Sequence, residues 1–271
     1  MIIGNAAWGL REIPLERQLE ITAAMKLPLL ELSIANYHRD RLQLDSRSAE
    51  IRAVSRLFES FGVSPECGAT GNDFTGDNWK QQLANVKRVI EIAADVGIKK
   101  LRIFAGFSSD SVVIGERLDN MLSALAEIAK FAAGYGVVPT VETHGGVTAV
   151  GDAVVHYASA STRMDILEKI VATGAALNYD PANLAAAGSI DPAAFFTKFS
   201  AHIRSVHLKD FRAVPGGVVP TACGEGILDW PLLLKTLENY GGPALIEYEL
   251  TGDVEDGLKR SLEFLRTFGV K

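Results

Sequence analysis

Apolar, β-type runs recur near residues 1–7, 28–33, 63–69, 99–105, 137–143, 175–180, 203–208 and 243–249. Between them lie stretches with apolar residues at i, i+3, i+4 and i+7, the period of a helix with one buried face. Residues 16–25, 48–61, 79–96 and 117–135 carry this pattern most plainly. Start signals suit these and later helices: Asp45 and Asp77 offer carboxylate caps, and Asp191-Pro192 and Asp229-Trp230-Pro231 add a first-turn proline. Stop signals follow at Gly62, Gly97, Gly136, Gly174 and Gly241, each ahead of the next apolar run. Strand and helix alternating through the whole chain predict an α/β protein, a (β/α)8 TIM barrel in which residues 1–271 form a single domain. A doubly wound open sheet is the competing arrangement, with GNAAWGL after the first strand as its phosphate-loop candidate.

Period-two alternation sorts the strand residues by face. Thr140, Glu142 and His144 share one face of the fifth strand, and Asn178 and Asp180 one face of the sixth. Ser205, His207 and Lys209 share a face of the seventh, and Leu245, Glu247 and Glu249 of the eighth. Arg102 and Phe104 pair in the fourth, and Glu31 sits between two leucines in the second. So many charges facing inward would be costly in a dry interior. They are expected at the C-terminal mouth of a barrel, where active sites lie.

Four of these residues close successive strands: Glu142, Asp180, His207 and Glu247, spaced 38, 27 and 40 residues apart. In a parallel barrel all four reach one rim. Three carboxylates and one imidazole are mainly hard donors, suited to one divalent ion, Mn²⁺ first, with Mg²⁺, Co²⁺ or Zn²⁺ as alternatives.

Composition narrows the function classes. The chain is 271 residues long and 48% hydrophobic, enough for one large core, and its net charge is −6. No basic field is available to hold nucleic acid or an anionic membrane. The start, MIIGNAAWGL, lacks the charged region of a signal peptide, and no apolar run is long enough to span a bilayer. Cys67 and Cys223 have no metal-type spacing. A soluble cytoplasmic protein is the expectation.

The segments LRIFAG, VETHGG, NYDPANL, HLKD, GEGILDW and LIEYE, together with Trp8-Gly9, resemble the xylose isomerase-like TIM barrels. That group includes tagatose 3-epimerase, hydroxypyruvate isomerase and inosose dehydratase, and more distantly endonuclease IV. The resemblance implies a metal held by Glu142, Asp180, His207 and Glu247, and a sugar isomerase or epimerase acting through an enediolate. In the epimerases the strand-five and strand-eight glutamates also move the proton, which gives Glu142 and Glu247 catalytic roles. The strand-six signature commonly continues to a histidine three residues beyond the aspartate; this chain has Asn183 there, a substrate-binding candidate.

The endonuclease branch needs several more histidines than this chain's five, His38, His144, His156, His202 and His207. His156 falls in an expected helix and His202 just ahead of the seventh strand, so both read as structural. Among other candidates, His144 either orients or protonates a substrate oxygen, with Gly145-Gly146 letting the loop pass close to a ligand, or is a hydrogen-bonded rim residue. Lys209 either holds an oxyanion or forms a structural ion pair, and Asp210 would anchor Lys209 or Arg212. Arg102 is a substrate clamp or the counter-charge of Glu31 and Glu66. Trp8 and Phe104 are candidates for an apolar wall against a sugar, and Glu31 and Arg212 for substrate contacts.

The expected partner is therefore a small molecule: a sugar, keto-sugar or cyclitol. It is expected to be unphosphorylated, because Asp253, Glu255 and Asp256 in the loop after strand eight would repel a phosphate. A lyase that expels a hydroxyl from a keto-cyclitol or keto-sugar, with His144 or Lys209 as acid, is the alternative activity. A non-catalytic sugar-binding barrel is the third reading. Relatives often form dimers or tetramers, so a homo-oligomer belongs to what the resemblance implies.

Overall fold

The computed structural model describes residues 1–36, 41–188 and 190–270, and His38 lies outside them. Its β-segments are β1 (Ile2–Asn5), β2 (Leu29–Leu30), β3 (Leu32–Ser33), β4 (Cys67–Ala69), β5 (Lys100–Ile103), β6 (Val138–Glu142), β7 (Gly146–Val150), β8 (Ala153–Tyr157), β9 (Ala176–Tyr179), β10 (Ile203–Leu208), β11 (Asp210–Val214), β12 (Gly217–Thr221) and β13 (Pro243–Ile246).

Nine of them form one parallel sheet, in the order β2-β1-β13-β10-β9-β6-β5-β4-β3. The two ends of that order, β2 and β3, are one strand interrupted at Glu31, so nine segments make eight strand positions and the ring closes on itself. Leu30 pairs with Asn5 on one side, Leu32 with Gly68 on the other. Glu31 sits at the seam, its N–H donating to the Asn5 carbonyl at 2.9 Å. Closure rules out the open doubly wound sheet.

Helices on the outside supply the core face the pattern predicts. The helix Trp79–Val96 buries Leu83, Val86, Val89, Ile90, Ala93 and Val96, one stripe along its length. It stops at Gly97, which takes φ +100°, a conformation that costs an L side chain dearly, and returns its N–H to the carbonyls of Ala93 and Ala94. Two caps depart from expectation. The helix Ser48–Phe61 begins at Arg47, whose N–H is taken by Glu50, and Trp79–Val96 begins at Asn78; Asp45 and Asp77 cap neither. Asp191 and Asp229 do cap, accepting from Ala194 N and Leu232 N.

A second sheet is new relative to the sequence pattern. Hairpin β7–β8 rises after β6, hairpin β11–β12 after β10, and the two join antiparallel as β11-β12-β8-β7 through Val154 and Val218. His156 therefore lies on strand β8, not in a helix. The run that follows β10, from Asp210 to Thr221, is likewise a hairpin. Short valine-rich runs around Gly151 and Gly216, both at positive φ, carry hairpin turns; the shortness of each run hid the alternation. Among the described residues, no helix is long and apolar enough to cross a membrane.

Candidate functional site

Glu142 ends β6, Asp180 follows β9, His207 lies in β10 and Glu247 follows β13, so four neighbouring strand positions deliver their side chains to one end of the barrel. All four are buried, and one donor atom from each lies within 4.8 Å of the others. His207 Nδ1 stands 3.5 Å from Glu247 Oε2, 3.7 Å from Glu142 Oε1 and 4.0 Å from Asp180 Oδ2. These separations are too long for hydrogen bonds. They match two ligands on a common ion, each about 2.0–2.2 Å from it and so about 3–4 Å apart.

Local structure decides which atoms point inward. Asp180 caps the helix Pro181–Ala187: its Oδ1 accepts from Asn183 N at 2.9 Å, and its Oδ2 turns to Lys209 Nζ, 3.1 Å away, and to His207 Nδ1, 4.0 Å away. Thr143 Oγ1 accepts the Asp180 N–H at 2.8 Å and donates to the Asp180 carbonyl at 3.1 Å, tying the ends of β6 and β9 together. Glu247 N donates to the Leu208 carbonyl, which fixes the last residue beyond β13 against β10. Asp180 Oδ2 and both ring nitrogens of His207 are buried without an aligned hydrogen bond. Orphaned buried donors and acceptors are costly, and a divalent ion would satisfy the Asp180 oxygen and His207 Nδ1 together. The donor set thus fits a bound metal.

Charges around the four ligands are arranged unequally. Arg102 Nε lies 3.2 Å from Glu142 Oε2, and Asn183 Nδ2 donates to Glu142 Oε1 at 3.1 Å. Burial pushes the Glu142 carboxyl up, but Arg102 and His207 more than offset it and leave it at about 2. Lys209 Nζ touches Glu247 Oε2 at 2.8 Å, Asp180 Oδ2 at 3.1 Å and Glu249 Oε1 at 3.1 Å. Asp180, with burial and the other carboxylates against it and Lys209 in its favour, is raised to about 7. Burial lowers His207, yet Glu247, Glu142 and Glu31 hold its imidazole protonated well above the ordinary range.

Several expectations need correction. Arg102 is the counter-charge of Glu142, not of Glu31 or Glu66; Glu66 pairs with Lys100. Glu31 is not in the cavity wall. It lies behind His207, with Oε1 3.6 Å from Nε2 and Oε2 accepting the Ala7 N–H at 3.0 Å. Arg212 is exposed on β11, paired with Val219, away from the cavity lining. Asp210 anchors neither Lys209 nor Arg212. Its carboxylate accepts from the N–H groups of Phe211, Gly224, Gly226 and Leu228 and from Trp230 Nε1, organising the segment GEGILDW. Gly145 and Gly146 make room for Tyr157 rather than for a ligand, since a Cβ at Gly146 would run into the Tyr157 ring.

Above the four ligands opens a cavity of about 600 Å³, within the range of small-molecule sites. Trp8, Arg102, Asn183, Lys209 and His144 line it. Phe104 joins them: its ring lies under the Arg102 guanidinium at 4.3 Å and packs edge-on to His144 at 5.3 Å. Arg11, Glu249 and His156 also line it, and none of them stood among the catalytic or substrate candidates. Glu249 had a signal, the period-two face it shares with Glu247. His156 had none, because hairpin β7–β8 carries it there. Its ring lies 5.0 Å from that of Phe211, and burial drives its pKa down to about 3, so it stays neutral.

The profile of the xylose isomerase-like TIM barrel family matches residues 19–268. Solved structures with the same fold include a D-tagatose 3-epimerase-like protein, at 19% identity and TM-score 0.74 over 100% of both chains. The probable 3-DHS dehydratase AsbF of petrobactin synthesis from Bacillus anthracis superposes at TM-score 0.74, with 15% identity over 98% of this chain and 99% of that one. The IOLI protein, solved with a bound zinc atom, gives TM-score 0.75 at 16% identity over 98% and 97%. A search of curated proteins by sequence returned no match.

Proposed function

The chain belongs to the xylose isomerase-like TIM barrel family, and from that premise we propose a divalent-metal-dependent isomerase or epimerase acting on a keto-sugar. The observation that supports it is the convergence of Glu142, Asp180, His207 and Glu247, with orphaned atoms on Asp180 and His207 facing one point. An ion held there would polarise a substrate carbonyl as a Lewis acid. Three carboxylates among four donors favour Mn²⁺, and zinc in the IOLI protein keeps Zn²⁺ among the alternatives.

The chain's own groups then divide the work. Glu247 makes its side-chain contacts through Oε2, which leaves Oε1 to take the proton from the carbon beside the carbonyl. Glu142 has both oxygens engaged, Oε1 by Asn183 and Oε2 by Arg102, so Glu247 has the freer oxygen of the two. Asn183, Trp8 and His144 orient the sugar, and the aromatic wall excludes water from the reacting carbon.

A second reading, a lyase that expels a hydroxyl from a keto-sugar or cyclitol, has one observation in its favour. Buried Lys209 and half-buried Glu249 form a pair facing the cavity, with Glu249 beyond the four ligands and its carboxyl pushed up by desolvation, a group able to protonate a departing hydroxyl. Incubating Mn²⁺-loaded protein in D₂O with a panel of ketoses and inososes tests both. Deuterium uptake with epimer or isomer formation supports the first reading and loss of water the second. Neither, with metal bound, would refute an enzyme of either kind on these substrates.

A further inference from the structure

Two imidazoles stand side by side in the cavity, and so far only His144 has been given work. The ring centroids of His144 and His156 are 6.2 Å apart, and both residues line the cavity. His144 follows β6, whereas His156 reaches the same space from β8, paired across the hairpin with Val147. Aromatic neighbours fix both rings. His144 meets Phe104 and Phe107 edge-on at 5.3 and 5.4 Å, and His156 lies 5.0 Å from buried Phe211.

Their surroundings assign opposite tautomers. His144 Nδ1 contacts the Gly145 carbonyl. A carbonyl only accepts, so Nδ1 carries the proton and Nε2 is left as a bare acceptor. His156 Nδ1 is buried with no hydrogen bond among the described residues, and burial keeps its ring neutral. An orphaned acceptor is tolerated in such a place better than an orphaned N–H, which puts the proton of His156 on Nε2. One ring therefore offers the cavity an acceptor and the other a donor.

A single kind of group satisfies both. A hydroxyl donates its hydrogen to one nitrogen and accepts from the other, which an ether, a carbonyl or a methylene cannot do. A direct N–H···N bond would bring two such rings to about 5 Å, whereas a hydroxyl oxygen about 2.9 Å from a nitrogen of each holds the centroids about 6–8 Å apart. The observed 6.2 Å lies in the second range.

We propose that His144 and His156 together bind one hydroxyl of the substrate, His156 Nε2–H donating to its oxygen and His144 Nε2 accepting its hydrogen. His156 is then a specificity-determining residue supplied by the hairpin sheet. The proposal rests on the sugar reading above and deepens it: the hydroxyl belongs to the part of the sugar beyond the carbonyl and the adjacent carbons that meet the metal ligands. A sugar lacking that hydroxyl leaves a donor and an acceptor unpaired.

Two measurements on the full-length protein test this. The first needs no sugar. Two-bond ¹H–¹⁵N spectra of the imidazoles at neutral pH should show His144 protonated at Nδ1 and His156 at Nε2; any other pair of tautomers would overturn the proposal, whatever the activity. The second titrates Mn²⁺-loaded protein calorimetrically with D-tagatose and its 4-deoxy, 5-deoxy and 6-deoxy forms. One deoxy sugar is expected to bind about tenfold or more weakly than D-tagatose. His156→Phe, which keeps a ring against Phe211, should weaken D-tagatose by about tenfold and leave that one deoxy sugar unchanged. His156→Gln, with an amide N–H near the place of Nε2, should recover part of the loss. An equal loss for every sugar, or none, would reduce His156 to packing and overturn the proposal. No binding of any of the four sugars to protein that holds Mn²⁺ would strike the keto-sugar reading, and the shared hydroxyl with it.

Discussion

Lys209 is the residue whose removal most sharply separates the parts of the site. Its ammonium is buried among Asp180, Glu247 and Glu249 at 2.8–3.1 Å. Lys209→Met keeps the stem packed and deletes only the charge. Three carboxylates then face one another with less compensation, and breaking a buried ion pair from one side costs about 3–5 kcal/mol. For a chain of this length that is a loss of about 5–9 °C in melting temperature, measured with chelator present. The metal reverses part of this loss. Lys209 sits on two of the oxygens that face the ion site, so its charge opposes an incoming cation, and its removal leaves those oxygens more attractive.

The variant should therefore bind Mn²⁺ more tightly than the parent, by about 5–150-fold, the usual range of a coupling of 1–3 kcal/mol. Linkage demands that the two measurements agree: the variant's stability deficit in chelator minus its deficit with bound metal equals the gain in metal affinity. Differential scanning calorimetry with and without Mn²⁺ supplies one side, calorimetric titration the other. Equal destabilisation in both states, or weaker metal binding by the variant, would show that Lys209 orients the ligands rather than competing with the ion.

Three further outcomes are expected. Glu31→Gln should weaken metal affinity by about 10–100-fold with little loss of fold, because the Glu31 carboxylate faces, at 3.6 Å, the ring nitrogen of His207 that is turned away from the ligands and supports the ring by its charge; titration with Mn²⁺ and the ¹⁵N ring shifts of His207 read this directly. Metal affinity should fall steeply from pH 8 to pH 6, since Asp180 at about 7 and the raised His207 take up protons that an ion must displace. Both folded values lie above their unfolded ones, so their protonation favours the metal-free fold at low pH, a contribution lost as pH rises through about 7; the chelated protein should lose melting temperature from pH 6 to 8 and the metal-loaded protein should not. Asp210→Asn should cost about 2–4 kcal/mol, by setting an amide N–H₂ against donors that now share one carboxylate, and a melting temperature unchanged from the parent would refute that role.

How far the sequence reached depends on which physics each residue obeys. Strand ends were legible because a parallel barrel gives every strand the same direction, so Glu142, Asp180, His207 and Glu247 had to meet once the strands were placed. Asp180 also caps the helix that follows it, which engages one oxygen with Asn183 N and leaves the other to the site. Pair partners were less legible, because adjacency between strands is not written in spacing along one chain. Arg102 could have faced Glu31, Glu66 or Glu142, and only the register of β5 against β6, Arg102 beside Thr140, brings it to Glu142.

The hairpin sheet escaped altogether for a different reason. Its strands are five residues each, partly exposed, and stabilised by pairing with each other across more than 60 residues of chain, as Val154 pairs with Val218. Period-two alternation marks a strand with one dry face and one wet one, and these strands face a cavity on one side and water on the other. On β8 the cavity-lining Val154 and the exposed Val155 are both apolar, so its five residues leave no contrast to read.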